Sequence, residues 1–459
     1  MIGLVFGENG MSSTAFHIPE EEGLDRRGIE SLQRRKLAAM LPQVLGGNRF
    51  YQRKLAGIDF DPLRDPIQKL PFTTRQEIEL DQAENPLYGT NLTYPLERYC
   101  RYHQTSGSGG RPVRWLDTAE SWNWFKKCWG TIYRAAGLRP EERLAFTFSF
   151  GPFIGFWAAF EAAVGLGNLC LPAGGMSTAA RLKLILENRV NVICCTPTYA
   201  LHMAEVAAAD GINIADGAVR ALIVAGEPGG SIPSTRQKIE RGWNARVFDH
   251  TGMTEIGSLG FECMENPGGV HLIESECIAE VIDPQTGRSV DDGQAGELVL
   301  TNLGRWGSPL IRYRTRDQVR ITRGKCRCGR HFARMEGGII GRVDDMFIVR
   351  GNNVFPSAIE GIVRRFAEVA EFRVEAVEVA GLMQIRVCVE PVPGLADPCE
   401  LCSRLARVLQ SELNFRVDVR LVSPGTLPRF EMKSRRFVRL PAQTPAEACC
   451  CNNAATVKA

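Results

Sequence analysis

Apolar residues recur at helical spacing through positions 26–45, and a shorter basic-aromatic piece at 48–55 continues the pattern. Thr73-Thr74-Arg75-Gln76-Glu77 has the hydroxyl-to-carboxylate spacing of a capping box, and Pro71 and Pro86 punctuate the region. Positions 19–82 therefore predict an α-helical lead-in packed against a larger body. A Trp- and Phe-rich helix is predicted at 118–136, followed by a strand at 143–149 and an apolar helix at 153–164. The alternation continues with a helix at 179–188, a strand at 190–195, a helix at 198–209 and a buried strand at 218–225 ending in Gly226-Glu227-Pro228. Strands alternating with helices imply an α/β sheet. Ligands of such sheets bind beyond the carboxyl ends of the strands, where Gly226 and His250 would sit.

From Glu276 the period changes. Strands at 278–282 and 296–301 are separated by the turns Asp283-Pro284-Gln285-Thr286-Gly287 and Asp291-Asp292-Gly293, which predicts a β subdomain after the α/β body. Beyond Gly341, helices at 356–366 and 398–414 and strands at 374–379, 385–389 and 417–422 predict a small α+β domain. The expected division is an N-terminal domain of residues 1–343, a C-terminal domain of 344–440 and a tail, 441–459, that lacks periodicity and is expected to be disordered. No internal repeat is evident.

The 459 residues, 44% of them hydrophobic, exceed one core and suffice for two or three domains. Lys and Arg total 55 against 52 Asp and Glu, a net charge of +3, too small for a protein whose main task is neutralising a nucleic-acid backbone. The first 13 residues carry no basic, apolar leader, and no segment approaches the run of about 18 apolar residues that a membrane helix needs. A cytoplasmic protein with neither membrane nor nucleic-acid partner is expected. Its 15 cysteines then read as reduced thiols or metal ligands rather than disulfides. Cys263 and His271 in C-x7-H spacing, with the C-x-C pair Cys326 and Cys328, make a closed tetrahedral set for a structural zinc, with Cys277 as an alternative ligand.

Candidate chemistry starts at Thr105-Ser106-Gly107-Ser108-Gly109-Gly110, followed by Arg111-Pro112. Glycines free the backbone to turn its N–H groups toward one point, and the hydroxyls add donors, a surface suited to phosphate oxygens. It is not a Walker loop, because no Gly-Lys-Ser/Thr closes it. Four further segments follow in order. They are Asp249-His250-Thr251-Gly252-Met253-Thr254-Glu255, Arg312-Tyr313-Arg314-Thr315-Arg316-Asp317, Gly341-Arg342-Val343-Asp344-Asp345 running on to Gly351-Asn352-Asn353-Val354-Phe355-Pro356, and Leu427-Pro428-Arg429-Phe430-Glu431-Met432-Lys433. Together the five resemble the motifs of the adenylate-forming enzymes, most closely the phenylacetate-CoA ligase branch, over about residues 25–440.

The resemblance implies ATP-dependent activation of a carboxylic acid to an acyl-AMP, with transfer to CoA and release of AMP and pyrophosphate. Both attack on the α-phosphate and departure of pyrophosphate call for Mg²⁺, backbone donors and a cation. By the same resemblance the residues from Thr105 to Gly110 hold the β- and γ-phosphates, Thr254 the α-phosphate and Glu255 the Mg²⁺. Gly226, Glu227, Pro228 and Asp249, with Thr251 and Gly252, line the nucleotide. Asp317 takes the ribose hydroxyls, and Arg342 lies near ribose and phosphate. Lys433 serves adenylation, and Asp344 is a hinge about which the small domain rotates for thioester formation. A structural zinc is similar to what some members of the branch carry.

Three positions depart from the family pattern. Ser108 replaces a second threonine, Thr251 stands for a tyrosine and so removes a stacking surface, and Arg316 replaces a glycine before the ribose aspartate, where it is expected to distort the turn. Phe148, Phe150, Phe153, Phe156 and Trp157 offer walls for an aryl or arylacetic acid. Rival readings keep adenylation but pass the acyl group to a carrier protein or an amine, adenylylate a deazaflavin coenzyme, or reduce the chain to a ligand-binding scaffold. A homodimer is compatible with the sequence.

Overall fold

The computed structural model describes residues 15–105, 112–343, 346–349, 352–379, 382–430 and 436–441. The lead-in is helical as expected: α1 (Pro19–Glu22), α2 (Arg26–Gly47), α3 (Arg49–Lys54) and α4 (Arg75–Glu84). Side chains set their starts, with Asp25 accepting from the Gly28 N–H, Asn48 from the Tyr51 N–H, and Thr74 and Glu77 forming a reciprocal capping box on α4. An antiparallel hairpin of β1 (Tyr99–Gln104) and β2 (Arg114–Thr118) brackets the glycine-rich loop and leads into α5 (Ala119–Ala135).

The α/β body follows as β3 (Arg143–Phe146), α6 (Trp157–Gly165), β4 (Leu169–Pro172), α7 (Thr178–Glu187), β5 (Val192–Cys195), α8 (Pro197–Ala209), β6 (Ala221–Val224), α9 (Pro233–Trp243) and β7 (Arg246–Met253). The strands run parallel in the order β4-β3-β5-β6-β7. Along β5 and β6 alternate residues enter different cores. Val192, Cys194, Ala221 and Ile223 face the core around α5, whereas Ile193, Cys195, Leu222 and Val224 face the core under α7, α8 and α9. Burial on both faces is why these strands are continuous apolar runs.

The sheet does not stop at β7. After it come β8 (Gly257–Glu262), β9 (Gly269–Leu272), β10 (Cys277–Ile282), β11 (Ala295–Asn302), β12 (Tyr313–Thr322), β13 (Arg334–Glu336) and β14 (Gly341–Arg342). They extend the path antiparallel as β7-β8-β9-β13-β12-β11-β10, with β14 on β12. The separate β subdomain expected from the sequence is therefore joined by backbone hydrogen bonds to the α/β sheet. β7 is the joint: its first half, Arg246 to Asp249, pairs parallel with β6, and its second half, His250 to Met253, pairs antiparallel with β8.

The C-terminal unit has its own core, including Ile359, Val363, Phe372, Val387 and Leu405. It comprises β15 (Phe347–Val349), β16 (Asn352–Val354), α10 (Pro356–Val363), β17 (Val369–Val379), β18 (Leu382–Pro391), α11 (Pro398–Leu413), β19 (Asp418–Leu421) and β20 (Phe437–Arg439), with a sheet in the order β19-β18-β17-β20. β20 has no counterpart among the predicted strands. Among the boundaries that moved, two lie beside the aromatic segment. The helix expected at 153–164 begins only at Trp157, because Gly155 takes a left-handed φ of +41° and Phe153 turns outward; the strand expected at 143–149 ends at Phe146. The expected disordered tail, apart from Pro441, and the Asp344 hinge lie outside the described residues.

The small unit docks on the carboxyl-end side of the α/β body. Arg436 forms a bidentate pair with Glu371 (2.6 and 2.8 Å) and donates across the boundary to Thr198 Oγ1 at the start of α8 (2.9 Å). Ser234 Oγ donates to the Gly361 carbonyl (2.9 Å). Thr198→Val keeps the Arg436–Glu371 pair and removes one charge-assisted bond, about 1.5–3 kcal/mol of docking. Amide hydrogen exchange should quicken at the first turns of α8 and α10 and stay unchanged in β5 and β6.

Candidate active site

The turn between β7 and β8 is the centre of the site. It carries Thr254 and Glu255, whose backbone carbonyls point inward to Arg305 Nη1 at 2.8 and 2.7 Å. The other side of the Arg305 guanidinium holds Asp117 of β2 with two bonds of 2.6 and 2.8 Å, and both side chains are fully buried. Trp115 and Phe125 lie against the guanidinium at 5.2 and 5.1 Å. One arginine thus ties the hairpin that carries Thr105 to the turn that carries Glu255.

A second arginine bridges the same two segments on the open side. Arg75, the first residue of α4, donates to Glu255 Oε1 (3.1 Å) and to Thr105 Oγ1 (3.2 Å). Thr105 Oγ1 also accepts from the Val113 N–H at 3.0 Å, closing the base of the glycine loop. Ser106, Gly107, Ser108, Gly109 and Gly110 lie outside the described residues. So does Lys433. Asp317, on β12, is opposite Arg342 on β14, with Arg342 Nη1 3.5 Å from Asp317 Oδ1. The buried phenol of Tyr313 lies within the fields of Glu255, Arg75, Arg342 and Asp317, and burial pushes its pKa well up.

Gly226 follows β6 with φ +96°, a turn that brings Glu227 to the α8 N-terminus, where its Oε1 accepts from the Thr198 N–H at 2.8 Å. Pro228 beside it is exposed. On the neighbouring strand Asp249 accepts from Ser231 Oγ, and its N–H donates to Glu262 at 3.1 Å. Gly230 is backed against Asp249, leaving no room for a Cβ. Burial raises Asp249 to about 6 and Glu262 to about 7, the latter despite its contact with Arg236. His250 is held neutral by burial, its pKa lowered to about 4, with Nδ1 2.6 Å from the Gly260 carbonyl. Thr251 and Gly252 flank a bulge in β7, and the half-buried Thr251 side chain fills the space over Gly260. Arg316 takes φ +66° at an irregularity in the β11–β12 pairing, yet Asp317 keeps its ladder position opposite Arg342.

The aromatic segment reaches this centre through a series of tilted ring contacts. Phe148 contacts Phe150 and Phe156 at 4.7 and 5.2 Å, Phe156 lies 5.8 Å from Trp129, and Trp129 lies 4.5 Å from His250. Phe153 stands apart, exposed.

Cys263, His271, Cys326 and Cys328 converge from distant parts of the chain, all four ligand atoms lying within 4.8 Å of one another. Cys263 Sγ is 3.9 Å from Cys326 Sγ, and Cys328 Sγ is 3.8 Å from His271 Nε2. Bonds of about 2.0–2.3 Å from a tetrahedral zinc set its ligands about 3.5–3.8 Å apart, so the cluster fits that ion. His271 Nδ1 is 3.2 Å from the Phe332 carbonyl, which aims Nε2 at the cluster centre. The alternative ligand, Cys277, is not part of the group; its thiol donates to the Ile273 carbonyl at 3.3 Å.

Arg75, Asp117 and Arg305 did not emerge from the sequence as site residues. Only Arg75 carried a signal, its place one residue inside the capping box. Arg305→Met leaves Asp117 buried without its partner and two carbonyls without a donor. It should cost about 3–5 kcal/mol, read as a shift in the denaturant midpoint, while Arg305→Lys recovers part of the loss.

The AMP-binding enzyme family profile matches residues 99–304, and that of the AMP-binding enzyme C-terminal domain matches 351–440. The chain is 31% identical to the phenylacetate-coenzyme A ligase of Thermus thermophilus over 448 residues, covering 92% of this chain and 99% of that one. Against the phenylacetate-coenzyme A ligase of Escherichia coli it is 30% identical over 425 residues, covering 90% and 95%. Among solved structures it is similar to a 2-hydroxyisobutyryl-CoA ligase in the postadenylation state with an acyl adenylate, with TM-score 0.88 and 25% identity over 98% of this chain and 97% of that one. The same ligase in its thioesterification state, at the same identity and coverage, gives only 0.70. Taken as a whole, this chain therefore superposes better on the ligase in its postadenylation state than on the same ligase in its thioesterification state. The chain belongs to the adenylate-forming AMP-binding enzymes, in the branch of the phenylacetate-coenzyme A ligases.

Proposed function

We propose that the protein activates an aryl or arylacetic acid with ATP to an acyl-AMP and then transfers the acyl group to the thiol of CoA. The observation that carries this reading is the convergence of Thr105, Thr254 and Glu255 around two arginines, with Asp317 and Arg342 paired nearby. A carboxylate cannot acylate a thiol directly, because oxide is too poor a leaving group; the adenylate supplies AMP instead. Thr105 and the glycine loop from Ser106 to Gly110 would cradle the β- and γ-phosphates, and Thr254 the α-phosphate. Asp317 would accept from the ribose hydroxyls beside Arg342. Gly226, Glu227, Pro228, Asp249, Thr251 and Gly252 would line the base. Glu255, a carboxylate beside the proposed phosphate site, would hold Mg²⁺, a hard cation that takes oxygen ligands. When bound, that ion screens the polyphosphate charge.

The ring series from Phe148 through Phe156 and Trp129 to His250 favours an aromatic acid, with neutral His250 at its inner end. Lys433 would contact the acid and α-phosphate during adenylation and withdraw when the small domain, residues 344–440, turns about Asp344. The four-ligand cluster would hold a structural zinc with no open position.

Pyrophosphate exchange across a panel of acids, with mass spectrometry of the products formed with CoA, tests the reading. Exchange confined to aromatic acids and an acyl-CoA product support it, whereas transfer to a carrier, an amine or a deazaflavin instead of CoA would refute it. Lys433→Ala should lower exchange by about 100-fold or more and leave thioester formation from supplied acyl-AMP intact. Equal loss of both half-reactions overturns that division of labour. For the metal, elemental analysis should find zinc in stoichiometric amount, and Cys328→Ser should lose the ion together with several degrees of thermal stability.

A further inference from the structure

We propose that Arg75 is a polyphosphate-binding residue, which holds Glu255 when the nucleotide is absent and turns to the β- and γ-phosphate oxygens when magnesium nucleotide enters. The inference rests on the assignment of Thr105 and Glu255 above and adds a residue that neither motif contains. Its guanidinium makes three contacts: Glu255 Oε1 at 3.1 Å, Thr105 Oγ1 at 3.2 Å and Glu79 Oε1 at 2.8 Å. The first two partners belong to separate segments, so the fork spans the gap in which the phosphates would lie. The Arg75 side chain is 33% exposed against 11% for Glu255, so the arginine approaches from the open side.

Its mounting is rigid. Thr73 joins the edge of β12, its N–H donating to the Arg312 carbonyl and its carbonyl accepting from the Arg314 N–H, both at 2.9 Å. Thr73 Oγ1 donates to the Ile311 carbonyl at 2.7 Å, and the buried Tyr51 hydroxyl accepts from the Ile311 N–H at 2.8 Å. Thr74 caps α4, and Arg75 follows immediately. The helical lead-in is thereby fastened to the strand that carries Asp317, and delivers one cation to the site.

Electrostatics supplies the switch. A carboxylate that takes a divalent ion no longer favours a guanidinium at 3 Å, and the phosphates beside Thr105 offer the fork a bidentate partner. During adenylation an acid oxygen bonds to the α-phosphorus, the bridging P–O bond breaks and its electron pair leaves with pyrophosphate. Arg75 would neutralise the charge gathering on that leaving group.

Calorimetric titration of Arg75→Met and Arg75→Lys with magnesium pyrophosphate, α,β-methylene-ATP and AMP tests the assignment. The methionine variant should bind pyrophosphate and the ATP analogue about ten- to a hundredfold more weakly, keep its affinity for AMP and lose exchange. The lysine variant should recover part of the loss. Unchanged pyrophosphate affinity, or an equal fall for AMP, overturns the proposal. Glu255→Gln separates the two levels: a magnesium requirement unaltered by that change sinks the parent assignment of Glu255, independently of what Arg75 binds.

Discussion

The buried ion pair of Arg305 and Asp117 is the constraint on which the site depends. A turn that offers its side chains and N–H groups to a ligand must direct its carbonyls inward, where water cannot reach them. Arg305 answers that need for Thr254 and Glu255 at once, and Asp117 answers the charge this brings into the interior. Desolvating two ions costs several kcal/mol each and is offset only when geometry is bidentate and the remaining donors are used. Here both conditions hold, and the aromatic faces of Trp115 and Phe125 cover the guanidinium. The pair ties β2 to the turn between β7 and β8, elements that belong to separate sheets.

The boundary between the large and small units obeys the opposite logic. Glu371 and Arg436 are paired within the small unit, so separating the units would uncover charges that already have partners. Burial at this face raises Glu205 and lowers Lys238, each toward its neutral form, and water would release both on opening. A face built this way closes firmly and parts without stranding an ion. That suits a fold in which a 2-hydroxyisobutyryl-CoA ligase has been solved in postadenylation, open and thioesterification states.

Much of this was legible in the sequence, for identifiable reasons. The parallel strands announced themselves because Val192 to Cys195 and Ala221 to Val224 are buried on both faces, and the zinc-fitting quartet because soft ligands at C-x7-H and C-x-C spacing are distinctive. The five motifs came in order, although Lys433 and Ser106 to Gly110 fall outside the described residues. What stayed hidden is non-local. An apolar run at 153–164 does not reveal that Gly155 breaks it, and no periodicity tells that β8 pairs with the second half of β7. Arg75 and Arg305 looked like any of the chain's arginines, because their meaning lies in partners 30 to 188 residues away.

The division of β7 bears on how the protein loses activity. Because one strand belongs to the parallel ladder up to Asp249 and to the antiparallel ladder from His250, neither half of the large body can melt without tearing the edge of the other. The turn that carries Thr254 and Glu255 joins the antiparallel half of β7 to β8, so there is no folded half in which it survives. Heat or denaturant should therefore find the large body one cooperative unit, with no partly melted form of it that keeps the Thr254-Glu255 turn in place.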